Sequence, residues 1–180
     1  MKFGINRTKQ ALGEVQSTLH WIVNIKNPAE AVGEMSEDLQ IRVTTSGIPK
    51  ETVEDIQVEM QGHKVNYTGK VTKNGEISWT FVEGTDAAVM EYFTTWVNAR
   101  WSGDGSDTVG KQRLTKEIKA DLELKLLGPD DEVTQTFTII GAMPQYDQGS
   151  ELGQSADAIN PSITWTYDDF HRGKGDSTTW

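Results

Sequence analysis

Cysteine is absent from the 180 residues, which excludes disulfide staples, thiolate metal sites and a cysteine nucleophile. Positive charge is scarce: 17 Lys and Arg stand against 27 Asp and Glu, a formal net charge of -10. A surface that holds nucleic acid by neutralising phosphates is thereby disfavoured, and DNA would be repelled. Long apolar runs are missing too. The longest, near Leu19 to Ile25, is broken by His20 and Asn24, and no apolar core follows the basic residues Lys2, Arg7 and Lys9 as it would in a secretory signal. The expectation is a protein without a membrane span, made in the cytoplasm and kept there or carried out inside an assembled particle.

Side-chain constellations with catalytic potential are equally sparse. His20, His63 and His171 are scattered, and none has a partner at a metal-ligand spacing. Asp104-Gly105-Ser106-Asp107 looks like the start of a calcium loop but lacks the later carboxylate that closes the coordination shell, so it reads as a solvated turn. Asp168, Asp169 and His171 read as a charged strand terminus. There is no GxSxG elbow, phosphate loop or dinucleotide fingerprint. The expectation is a non-enzyme with no catalytic, cofactor-binding or metal site.

What is present suits a core. Apolar residues make up 36% of the chain and include six Trp, four Tyr and five Phe, enough large anchors for one packed body. An N-terminal arm (1–18), a single β domain (19–170) and a polar C-terminal tail (171–180) are expected. Within the domain, Leu19 to Lys26 and Leu39 to Thr45 alternate as strands, the second with Leu39, Ile41 and Val43 inward. Two alternating runs flank Gly62, with Ile56, Val58 and Met60 before it and Val65 and Tyr67 after it, as in a long hairpin arm. Lys73-Asn74-Gly75 reads as an Asn-Gly turn into a strand carrying Ile77, Trp79 and Phe81.

Asp86 to Trp101 switches to helical period, with Val89, Phe93, Trp96 and Val97 as core anchors, Thr85 or Asp86 as cap and Gly103 as terminator. Glu117 to Leu126 then alternates charged and apolar residues at every position, predicting a strand with Ile118, Ala120, Leu122, Leu124 and Leu126 on a dry face and charges on a wet one. A further strand carries Phe137 and Ile139 inward, Gly141 to Pro161 reads as a long irregular loop, and Ile163, Trp165 and Tyr167 mark a last strand. About eight strands and one packed helix predict a mainly β fold, an antiparallel β-sandwich or partly open barrel.

The order of several short motifs resembles the tail tube proteins of contractile-tailed bacteriophages. They are Thr44-Thr45-Ser46-Gly47-Ile48-Pro49, the hairpin around Gly62, Ile77-Ser78-Trp79-Thr80-Phe81 and the Trp96 helix. After these come Leu124-Lys125-Leu126-Leu127-Gly128-Pro129, Gly141-Ala142-Met143-Pro144 and Thr164-Trp165-Thr166-Tyr167-Asp168. The likeness implies a ring-forming tail-tube fold: hexameric rings stacked into a tube in a virion tail, whose bore passes DNA without specific binding. Implied partners are further copies of the chain, a tail sheath protein, a baseplate or hub, and a tube terminator. The type VI secretion tube protein looks like a relative, so a secretion tube subunit or a baseplate-proximal initiator stands as an alternative. A glycan-binding β-sandwich that stacks sugars on exposed Trp is the reading from another class.

On this reading Glu59, Glu117, Asp121 and Glu123 are candidate bore-lining carboxylates, whose like charge would keep DNA off the wall. The arm from Lys50 to Lys73, with Lys50, Glu51, Lys64, Asn66, Lys70 and Lys73, is the candidate contact between rings. The mixture of Lys119 and Lys125 with the acids weakens the bore reading of the Glu117 to Leu126 face, leaving outer wall as its alternative.

Overall fold

The structure, a computed structural model, describes residues 20–27, 32–102, 111–112, 114–146 and 158–175. Its elements in chain order are β1 (Trp21–Asn27), α1 (Glu37–Ile41), β2 (Val43–Ser46), β3 (Thr52–Met60), β4 (His63–Thr72), β5 (Gly75–Phe81) and α2 (Ala88–Asn98). There follow β6 (Trp101–Ser102), β7 (Lys111–Gln112), α3 (Thr115–Ile118), β8 (Ala120–Leu127), β9 (Val133–Gln145), β10 (Ser162–Tyr167) and β11 (Asp169–Lys174). Every pairing is antiparallel, and the main path of neighbours is β1-β8-β9-β10-β5-β2, with β11 also on β9.

The long strand β9 belongs to two sheets. Its first part pairs with β8 and β11, and its last residues, Met143 to Gln145, pair with β10. The handover falls at Gly141, whose φ of 65° is open to glycine and strained for other residues. A Cβ there would also run into the Asp168 carboxylate. One sheet is therefore β1-β8-β9-β11 and the other β9-β10-β5-β2, the sandwich expected from the alternating runs.

The inner face of β9-β10-β5-β2 meets α2. Val89, Phe93 and Trp96 are buried, and Trp165 of β10 lies edge-on to Trp79, Trp96 and Phe93 at centroid distances of 5.1, 5.4 and 5.7 Å. Edge-to-face contacts of this kind add about 0.5–1.5 kcal/mol each beyond area burial. Val97 is only half-buried, at the rim of the helix stripe. Trp79, Trp96 and Trp165 have no exposed surface, so none of them can stack a sugar.

Several expectations are corrected. Leu39 to Thr45 is not one strand: Ser36 caps α1 by accepting from the Leu39 amide at 3.4 Å, Glu37 and Asp38 occupy the first turn where a helix favours acids, and Ile41 points outward. The strand near Leu122 begins at Ala120, because Thr115–Ile118 forms a turn of helix whose Ile118 carbonyl accepts the Trp96 indole N–H at 2.8 Å. Neither Thr85 nor Asp86 caps α2, whose N-cap position is Ala87 with φ of 51° and which ends at Asn98, short of Gly103. Asn74-Gly75 joins two strands that do not pair with each other, since among the described residues β4 pairs with β3, and β5 with β10 and β2. Residues 141–145 extend β9, and 171–174, read as tail, complete β11. The arm 1–18, the turn at 104–107 and residues 147–157 and 176–180 lie outside the described residues.

Candidate assembly surfaces

Among the described residues, β3 and β4 pair with each other and with no other strand. Their two-residue tip, Gln61-Gly62, has φ of 48° and 79°, the two positive angles that match a turn to the right-handed twist of a hairpin. The register puts Ile56 opposite Tyr67, Val58 opposite Val65 and Met60 opposite His63 on one face, with Gln57 opposite Asn66 and Glu59 opposite Lys64 on the other. The hairpin is thus amphipathic, yet its apolar row is open to solvent, with Met60 67%, Ile56 55% and Tyr67 55% exposed. A lone two-stranded ribbon is marginal in water, and a contiguous exposed apolar row is the signature of a surface that becomes covered.

All six residues picked out for contact between rings lie on this arm or at its root. Glu51 and Lys73 meet at 3.7 Å where it joins the body, Lys50 precedes them, Lys70 sits by the bulge near Gly69, and Lys64 and Asn66 lie on the polar face. Sequence reasoning found the arm through the alternation of Ile56, Val58 and Met60 around Gly62 but not that this row is uncovered, because the same alternation occurs in a core strand. The missing signal was a second apolar layer to cover it.

The four bore-candidate carboxylates do not share one surface. Glu59 is on the polar face of the hairpin opposite Lys64, and Glu117 is half-buried on α3. Asp121 and Glu123 are on the outer face of β8. Asp121 accepts from the Gly141 amide at 3.1 Å. Glu123 is 9% exposed and lies 3.6 Å from Lys26 and 3.4 Å from Lys125, so the wet face expected for this strand is closed at its centre. Thr136 and Thr138, beside it on β9, are buried as well.

The edge strands of the path, β1 and β2, flank a cavity of about 590 Å³ roofed by α1, lined by Trp21, Ile22, Gln40, Ile41, Val43 and Thr44 among others. The Gln40 side-chain amide donates to Asn24 Oδ1 at 3.1 Å and pins α1 to β1. The sandwich is therefore open along one seam, where backbone donors and acceptors of an edge strand can receive another chain.

Arg42, between α1 and β2, ties this seam to the helix. Its guanidinium donates to both oxygens of Asp86 at 2.9 and 2.8 Å and lies 3.7 Å from Glu83. The Glu83 side chain is 4% exposed and accepts the amides of Gly84, Val89 and Met90, doing for α2 what its Ala87 cap cannot. Hydrogen bonds from Arg42 hold the Asp86 carboxyl at about 2, below its ordinary 3.8. A depressed carboxyl contributes stability that is whole above its unfolded pKa and is lost as pH falls through the folded one. The Asp86 contribution is therefore expected intact above about pH 4 and gone below about pH 2. In urea titrations across that range, Asp86→Asn should flatten this part of the midpoint-versus-pH curve, by a small step because the pair is at the surface.

Asp168, Asp169 and His171 do not converge. Asp168 pairs with Lys119 at 2.5 Å, and Asp169 accepts from the Phe170 amide. Among the described residues no group of His, Asp and Glu could hold a metal ion, and no helix is long and apolar enough to cross a membrane.

The chain is similar to a protein named tail tube protein from Serratia phage KSP90, 27% identical over 148 residues covering 80% of each. No family model matches. Among solved structures, a chain of the anti-feeding prophage cap (AFP tube terminating cap) superposes with a TM-score of 0.60 at 16% identity, over 96% of this chain and 99% of that one. A chain of the PVC sheath-tube complex, from an extracellular contractile injection system in its extended state, gives 0.59 at 14% identity over the same shares. The AFP baseplate contributes another match at 0.60, with 14% identity over 89% of this chain and 97% of that one. The tail-tube resemblance read from the motifs is thus met by a homologue of that name and by a shared fold.

Proposed function

We propose that this chain, a homologue of a phage tail tube protein, is the repeating structural subunit of a virion tail tube. Copies join through their open sheet edges into hexameric rings, and rings stack into a conduit that delivers DNA, with a sheath outside and baseplate and terminator at the ends. The observation that carries this is the β3–β4 hairpin, an amphipathic ribbon whose apolar row is uncovered in the single chain. In a stack of rings it reaches the neighbouring ring and buries that row, while Lys50, Glu51, Lys64, Asn66, Lys70 and Lys73 fix its register by charge and hydrogen bonding. Edge-to-edge closure likewise satisfies the backbone of β1 and β2. The net charge of -10 suits a conduit that DNA must leave without sticking.

The likeness to a tube-terminating cap favours a second reading, an end piece of the tube. Negative-stain microscopy of the purified chain at rising concentration separates the two. The repeating subunit is expected to give rings that lengthen into tubes; rings that never stack would make it an end piece, and a monomer at every concentration would overturn both.

A further inference from the structure

The two sheets offer two outer faces, and they differ in a way that bears on which one lines a bore. On the sheet β1-β8-β9-β11 the centre of the outer face is closed: Thr136 is 0%, Thr138 5% and Glu123 9% exposed. The groups around that centre, Lys26, Asp121, Lys125, Asp169 and His171, mix both signs. On the sheet β9-β10-β5-β2 the outer face is open, and the register lays its side chains in three rows. Thr45, Thr80 and Ser162 form one; Ser78, Thr164 and Gln145 the next; Glu76, Thr166 and Met143 the third. Glu76, Ser78, Gln145 and Ser162 are exposed, and the rest other than Thr45, itself exposed, are half-buried.

We infer that this hydroxyl-rich face of β9-β10-β5-β2 is the bore wall, and that the carboxylates of β8 are not. The inference rests on the reading of the chain as a repeating tube subunit. Among the described residues in its three rows the face carries one charge, the Glu76 carboxylate, with Arg100 at its β9 margin donating to the Pro144 carbonyl. Three of its six hydroxyls engage protein partners: Ser78 and Thr164 lie 3.4 Å apart, and Thr166 donates to the Met143 carbonyl at 3.3 Å. A translocating DNA strand therefore meets no row of cations that would pair with its phosphates and release counterions, the term that makes protein–DNA contacts adhesive. It also meets no apolar patch on which bases would stack. In each ring Glu76 repeats as one circle of carboxylates, enough to repel phosphate at close range without a charged wall. The wall is slippery by lack of partners more than by repulsion.

The absence of native cysteine makes the test clean, since a single introduced thiol is the only one in the chain. Ser78→Cys and, independently, Ser162→Cys are purified, assembled into tubes, and labelled with a small maleimide and with a polyethylene-glycol maleimide too bulky to enter a tube. The expected result is that both reagents label the unassembled variants. In tubes the bulky reagent should be slowed about tenfold or more while the small one still reacts, because thiol reactivity follows access. Labelling of tubes by the bulky reagent at the unassembled rate puts this face on the outside and overturns the inference, as does loss of reaction with both reagents, which makes it a subunit contact. Failure of the unsubstituted chain to form tubes instead overturns the tube reading and takes the bore with it.

Discussion

Trp165→Ala is expected to cost about 3–5 kcal/mol, a large part of the ~5–15 kcal/mol by which a domain of this kind is stable. Trp165 has no exposed surface and is the ring that Trp79, Phe93 and Trp96 all meet, so its removal leaves a cavity bordered by β5 and the helix. None of these rings can collapse into the space without leaving its other contacts. At about 2–4 °C per kcal/mol for a chain of this size, the midpoint of thermal unfolding, followed by circular dichroism, should fall by roughly 6–20 °C. Trp165→Phe is the informative companion. The Trp165 indole N–H is buried without a hydrogen-bond partner, so the smaller ring loses area but also removes an unsatisfied donor. A Phe variant as damaged as the Ala variant would mean that the aromatic cluster is not what holds the helix.

The second large effect falls on assembly and not on folding. Replacing Ile56, Val58 and Val65 by Thr keeps β-branched side chains, and so the strand preference of the hairpin, while removing apolar surface that the body never covers. The isolated subunit should unfold at an unchanged temperature. If the row is buried between rings at about 1 kcal/mol per position, the concentration at which tubes form should rise by about two orders of magnitude. Sedimentation and microscopy across a dilution series read this directly. Tubes forming at the unsubstituted concentration would take the hairpin out of the ring-to-ring contact.

How much of this was legible in the sequence depended on whether one face of each element is buried and the other wet. Ile163, Trp165 and Tyr167 of β10, and Leu122 and Leu124 of β8, were readable because a period of two with a buried face leaves no other pattern. The segment around Leu39 misled because Leu39, Ile41 and Val43 alternate by accident. Ser36 and the acids after it start a short helix in which Leu39 alone is buried. The end of β9 was hidden by its Gly141 and Pro144, residues that read as loop, and β11 by having one large inward residue, Phe170. At the candidate assembly surfaces, the alternating hairpin around Gly62 was visible and the exposure of its apolar row was not, since exposure is a property of what else packs nearby. The burial of Glu123 was likewise invisible: it depends on Lys26 of β1, whose pairing with β8 spans most of the chain.

That same pairing sets the order in which the molecule can be completed. The β3–β4 ribbon and the β8–β9 pair close across short turns, whereas Trp21 must find Leu126 before β1 has a place in any sheet. Contacts of such separation form late and slowly, because the loop entropy is lost before the contact repays it. The edge that β1 presents at the open seam is therefore finished last. If the chain is the ring-forming subunit proposed above, a partly folded copy would have an arm to offer a growing polymer but no finished edge to close a ring, and subunit maturation would itself be a checkpoint on incorporation.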